Sequence, residues 1–228
     1  MQVDNENNKC FLYSTCNHID CDKFCVKQYK LNYLYDEALI TDTQRKHIDL
    51  RIDEDGTDEQ EFETLFNISQ NIKEFVNTGK NLYLFSSNAG NGKTSWSLRL
   101  AQSYIEKIWS KCSLSCHVLF ISVPRLLLAL KDNIDTKSEY INHIKENITN
   151  CDLVIWDDIG TKQSTTFENE NLLYMIDTRI NNNKANIFTS NLNRNELHIS
   201  LGDRLYSRIY NNSINIELKG KDKRFLNK

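Results

Sequence analysis

Residues Ser87, Asn88, Ala89, Gly90, Asn91, Gly92, Lys93 and Thr94 match the phosphate-binding pattern G-x-x-x-x-G-K-[ST] everywhere except at its first position, where serine replaces glycine. The positions on which phosphate chemistry depends are kept. Backbone N–H groups from Gly90 to Lys93 can point inward at phosphate oxygens, and the amino terminus of a following helix adds its dipole. Lys93 would reach the β- and γ-phosphates of a nucleoside triphosphate such as ATP, and the Thr94 hydroxyl would face Mg2+. The expected binding set runs from Asn88 through Ala89, Gly90, Asn91, Gly92, Lys93 and Thr94 to Ser95.

A magnesium ion beside phosphates needs a carboxylate, and an attacking water needs a group to orient it. "LVIWDDIG" supplies both about 60 residues further on, behind four apolar residues. Asp157 is the expected magnesium-side carboxylate, acting through water, and Asp158 the expected water-activating group. A third apolar run, "NIFTSN", ends in Asn191, which could hold the attacking water or the γ-phosphate if it lies at the same sheet edge.

Elements must bring these residues together. "NLYLFSS" (81–87) reads as a buried strand leading into the loop, and "TSWSLRLAQSYIEKIW" sets Trp96, Leu100, Tyr104 and Ile108 on one helical stripe. Further strands are expected at 117–123, 152–158, 186–191 and 214–220, mostly with helical stretches between them. Continuous apolar strands alternating with helices indicate an α/β fold, a parallel sheet covered by helices on both faces. Thr57 and Gln60 stand at capping-box spacing ahead of Phe62, Leu65, Ile68, Ile72 and Phe75, which predicts one helix ending at Gly79.

With 228 residues the chain accommodates one well-packed domain and a small appendage. Its formal net charge of -3 means that any contact with DNA is a local patch. The opening "MQVDNENNKC" shows no secretory pattern, and Arg125 interrupts the longest apolar run, so the expectation is a cytoplasmic protein without a membrane partner. Seven cysteines, four of them within the first 25 residues, argue against a disulfide framework. Cys10, Cys16, Cys21 and Cys25, with His18 as an alternative ligand, could hold zinc tetrahedrally, although no C-x-x-C pair is present. The alternative is four incidental thiols, and the later Cys112, Cys116 and Cys151 read as small hydrophobes. An acidic, turn-rich stretch near 50–58 separates a cysteine-rich segment, 1–55, from the main domain, 56–228. Within that segment Lys27, Tyr29, Lys30, Tyr33 and Tyr35 interleave basic and aromatic residues, suiting a partner surface, single-stranded DNA or a solvated amphipathic helix.

Taken in order, "GNGKT", "LVIWDDIG", "FTSN", "GDRLYSRI" and "KGKDKR" resemble the DnaC/IstB-type AAA+ ATPases, especially phage and bacterial loaders of the replicative helicase; the resemblance covers roughly residues 60–228. It implies a P-loop AAA+ sheet with Asn191 as sensor 1, Arg208 as an arginine finger reaching a neighbouring subunit, and Arg224 as sensor 2. Arg204 competes for either arginine role. It also implies a DnaB-like helicase and single-stranded DNA as partners, self-assembly through the finger, and an amino-terminal segment that grips the helicase. The IstB branch implies a transposase helper as the alternative. Asp158 stands where many relatives carry glutamate, which suggests slow turnover. Only eight residues follow Gly220, so a full lid domain is not expected in this stretch.

Overall fold

The structure, a computed structural model, describes residues 25–46, 48, 50, 52, 56–132, 138–160 and 165–223. Five strands, β1 (Asn81–Phe85), β2 (Val118–Ser122), β3 (Leu153–Asp157), β4 (Ala185–Ser190) and β5 (Ser213–Glu217), form one parallel sheet in the order β2-β3-β4-β1-β5. The first four match the expected apolar runs to within a residue or two, because a strand covered on both faces must be apolar throughout. β5, at the sheet edge, is only partly buried.

Successive side chains of each strand point to opposite faces and divide the core in two. Leu82, Leu84, Val118, Phe120, Leu153, Ile155 and Ile187 meet α1 (Val26–Glu37), α2 (Glu59–Gln70), α3 (Ile72–Asn77) and α4 (Lys93–Ile108). Tyr83, Phe85, Leu119, Ile121, Val154, Trp156 and Phe188 meet α5 (Val123–Asp132), α6 (Glu139–Asn147), α7 (Thr166–Asn181) and α8 (Arg194–Tyr206). On α4 the expected stripe faces inward, with Trp96, Leu100 and Tyr104 buried and Ile108 packed against the cluster.

The predicted helix over 57–79 is instead two helices, α2 and α3, joined at Asn71 (φ -109, ψ 25). The N-cap is also not the expected Thr57. Asp58 stands at the N-cap in a left-handed conformation, with no side-chain cap hydrogen bond. Its carboxylate accepts from the Lys219 and Gly220 N–H groups instead, at 2.7 Å each, trading a local cap for an anchor on the chain after β5.

α1 is neither fully solvated nor detached. Leu31, Leu34 and Tyr35 are buried in the same cluster as β1 and α4, while Tyr29 and Tyr33 are 59% and 40% exposed. Lys30 Nζ donates to the Cys112 carbonyl at 2.8 Å, and the Ala38 carbonyl accepts from Phe120 N–H at 2.9 Å. Cys116 and Cys151 are buried and Cys112 half-buried, with free thiols.

Beneath β3, β4 and β1, at the ends opposite the phosphate loop, lies the fully buried Arg179. Its guanidinium donates to the carbonyls of Ile148, Cys151 and Ala185 and to Asn186 Oδ1. Asn186 continues to Asn81 Oδ1 at 2.9 Å and accepts from Trp156 Nε1 at 3.1 Å. A buried polar network satisfied in this way fixes strand register where side-chain packing alone would tolerate a slip.

Candidate functional site

β1 runs straight into the loop Ser86–Gly92 and then α4. Having left β1, the chain crosses to the far edge of the sheet to form β2, which makes the carboxyl end of β1 a topological switch point, where open parallel sheets bind ligands. Gly90 (φ 74) and Gly92 (φ 104) hold backbone conformations that favour glycine. At Gly92 the reason is the backbone alone, because a Cβ there would meet nothing within 4 Å.

Lys93, at the first turn of α4, is 6% exposed. Its ammonium donates to the Asn88 carbonyl at 3.0 Å, to Asn91 Oδ1 at 3.3 Å and to the Ser86 carbonyl at 3.4 Å, so it lies folded into the loop that it serves. Two asparagines of the loop tie it to the chain that follows β5. Asn91 Nδ2 donates to the Leu218 carbonyl at 3.0 Å, and Asn88 Nδ2 to the Lys219 carbonyl at 3.1 Å. Lys223 N–H donates to the Gly90 carbonyl at 2.9 Å, so the segment after β5 lies along the loop. Asn88 and Asn91, read from sequence as phosphate-loop positions, are also tethers.

A chain of hydrogen bonds crosses from the loop to β3 and β4. Thr94 Oγ1 donates to Asp157 Oδ1 at 3.0 Å, and Thr189 Oγ1 donates to the same oxygen at 2.7 Å. Thr189 Oγ1 accepts in turn from Asp158 N–H at 3.0 Å, and Asn191 Nδ2 donates to Asp158 Oδ1 at 3.3 Å. Burial pushes the Asp157 carboxyl above its ordinary range, the Thr189 hydroxyl opposes this, and the neighbouring Asp158 charge adds to it. A carboxylate that is costly to ionise in a 7%-exposed position is suited to a cation. Asp157 and the Thr94 hydroxyl offer only oxygen donors, the set that a small hard cation such as magnesium prefers, so the residues fit that ion.

The structure therefore brings together Lys93, Thr94, Asp157, Asp158 and Asn191. It adds Thr189, which sequence reading passed over inside "FTSN". No sequence signal marks it: the parallel pairing of Trp156 with Phe188 in the folded sheet sets the next residues side by side. Arg208 is not part of this group. It lies on a π-helical turn, Ser207–Asn211, and pairs with Asp177 of α7. Arg204 lines the same cleft as Arg208. Arg224, Cys10, Cys16, Cys21 and His18 lie outside the described residues. Cys25 is a half-buried free thiol, and the described residues hold no cluster of three or more metal-ligating side chains. No helix among them is long and apolar enough to cross a membrane.

Comparison with known proteins agrees with this fold. The replicative helicase loader DnaC of Escherichia coli strain K12 is 23% identical over 127 residues, covering 56% of this chain and 49% of that protein. The chain thus spans about half the length of the curated relatives it matches. Among solved structures, a crystal structure of the DnaC helicase loader matches with a TM-score of 0.52 and 25% identity, over 67% of this chain and 92% of that one. Domain III of the Thermotoga maritima replication initiation protein DnaA shares the fold with a TM-score of 0.57 at 14% identity, over 84% of this chain and 68% of that one. The family of IstB-like ATP binding proteins matches residues 34–228, from α1 through the loop, the paired aspartates and β5. The chain belongs to that family, the IstB-like ATP binding proteins, and is of the DnaC/IstB-type AAA+ class.

Proposed function

We propose that this protein is an ATP-hydrolysing loader of a DnaB-like replicative helicase, acting with single-stranded DNA in the cytoplasm of a bacterium, as a bacterial or phage gene product. The observation that carries the reading is the hydrogen-bonded relay from Thr94 through Asp157, Thr189 and Asp158 to Asn191 at the mouth of the phosphate loop. Similarity to a helicase loader over 92% of that loader's solved chain supports the choice of partner.

In this reading the N–H groups of Asn88 to Ser95 cradle the phosphates, and Lys93 exchanges its loop carbonyls for β- and γ-phosphate oxygens. Thr94 and Asp157 hold magnesium, which when bound offsets charge developing on the transferred phosphoryl group. Asp158 orients the attacking water, and Asn191 fixes the Asp158 carboxylate and senses the γ-phosphate. Arg208 acts on the nucleotide of a neighbouring subunit, and Arg224 on that of its own. The amino-terminal segment, 1–55, grips the helicase, with Cys10, Cys16, Cys21 and Cys25 as zinc ligands. Turnover is slow and stimulated by partners.

The decisive first measurement is nucleotide binding by Lys93→Ala. Loss of a charge-assisted contact to the phosphates should weaken ATP affinity roughly 10- to 100-fold. Unchanged affinity would remove the phosphate loop from the proposal. Loading itself is tested by helicase occupancy on circular single-stranded DNA, which should rise with wild-type protein and ATP. The family match favours one second reading, a helper ATPase for a transposase. Stimulated strand transfer without any helicase complex would select it.

A further inference from the structure

Arg208 is held in a way that bears on how copies of this chain would meet. α8 breaks at Gly202 (φ 73, ψ 167) and passes into the π-helical turn that carries Arg208. Turns of this kind are rare and gather at functional sites. The Arg208 side chain is 44% exposed, and its Nε meets Asp177 Oδ1 on α7 at 2.5 Å. Asp177 is itself braced one helical turn on, where its Oδ2 accepts from Asn181 Nδ2 at 3.2 Å. Both partners line an open cleft of about 340 Å³ between α7 and the end of α8, together with Leu173, Asp203, Arg204 and Ser207. Asp203, the other carboxylate of the cleft, is paired with His198.

We propose that Asp177 is a latch acting in cis: it holds Arg208 against its own subunit until the triphosphate carried by a second copy of this chain takes the guanidinium away. This inference rests on the role in trans proposed for Arg208. The cleft fits a phosphate as the competing partner because its two arginines can both turn to an anion of higher charge than one carboxylate. The contact is an ion pair without hydrogen-bond geometry, so Asp177 Oδ1 is buried with no hydrogen-bond donor among the described residues. A guanidinium drawn to a phosphate in trans must leave that carboxylate, so each contact in trans costs one in cis. A half-exposed ion pair is weak, so the latch tunes assembly rather than blocking it. Its effect on the protein concentration needed for assembly is about two- to fivefold.

The test compares wild-type protein with Asp177→Asn, Asp177→Ala, Arg208→Ala and the Asp177→Asn/Arg208→Ala double variant. ATP hydrolysis per subunit is measured against protein concentration, and self-association is followed by sedimentation with a non-hydrolysable ATP analogue. ATP affinity in dilute solution serves as the check on folding. Both Asp177 variants should reach half-maximal hydrolysis and association at two- to fivefold lower concentration, with the same plateau. The double variant should behave as Arg208→Ala, low at all concentrations. If Arg208→Ala loses concentration-dependent hydrolysis but the Asp177 variants show an unchanged or raised midpoint, the latch is wrong while the trans arginine stands. If Arg208→Ala hydrolyses ATP as wild type does, the trans role fails and takes the latch with it.

Discussion

Asp158 turns the end of β3 in a left-handed conformation (φ 60), which costs a non-glycine residue roughly 1–2 kcal/mol. Its N–H donates to Thr189 Oγ1 and its carboxylate accepts from Asn191 Nδ2, and both bonds help to hold it there. Asparagine tolerates the same backbone region, so Asp158→Asn separates charge from conformation. ATP affinity should stay within about twofold, and thermal stability should barely move. Turnover should fall roughly 10²- to 10⁴-fold, the usual contribution of a positioned acid or base. Single-turnover hydrolysis measures this, and wild-type turnover would take the water-orienting role from Asp158. The strain itself is what a site held in one geometry by its surroundings is expected to carry.

At the scale of elements, helix ends decide how the faces of the sheet are tied. α7 starts with a capping box: Thr165 N–H donates to Glu168 Oε2 at 2.6 Å, and Glu168 N–H to Thr165 Oγ1 at 3.3 Å. Lys131 of α5 pairs with Glu168 at 3.0 Å, so one carboxylate caps α7 and links it to α5. Burial alone would raise the Glu168 carboxyl, but the Thr165 N–H and hydroxyl and the Lys131 ammonium together bring it down to about 2. A carboxyl depressed on folding contributes stability above its unfolded value, near 4.5, and loses it as pH falls towards the folded value. Glu168→Gln should therefore cost about 1–2 kcal/mol at pH 7. The gap between variant and wild type in urea melts should narrow between pH 4.5 and the acid limit of folding. A gap that stays constant over that range would mean that packing, not charge, carries the effect.

For the whole molecule, α1 is the element with the widest consequence. It is anchored by Leu31, Leu34 and Tyr35 in the core shared with the sheet, so the described fold begins ahead of the acidic stretch at 50–58. Deleting residues 1–24 removes none of those anchors. The shortened protein should keep ATP affinity within about twofold and a cooperative melt, yet lose binding to the helicase if the grip lies in the cysteine-rich segment. A pull-down with wild-type helicase checks this. Retained binding would move the grip to the exposed Tyr29 and Tyr33 face of α1 or beyond it.

Much of the fold was legible because its signals are local. Four strands covered on both faces had to be apolar throughout, and the loop from Asn88 to Thr94 needed glycine where φ turns positive. The same local rules misled at Thr57, where cap spacing is right but Asp58 is drawn to Lys219 and Gly220. At Thr165 and Glu168, with the same spacing, the box does form. By itself the sequence determined the class of fold and which short segments could handle a triphosphate, since apolar runs, helical stripes and glycine spacing record only a residue's own backbone and burial. Only the tertiary structure decided that Asp157 meets Thr189, that Asn88 and Asn91 tether the chain beyond β5, and that Arg208 rests on Asp177. Those contacts join residues far apart in the chain, and strand order, register and helix packing set them where no spacing along the sequence records them.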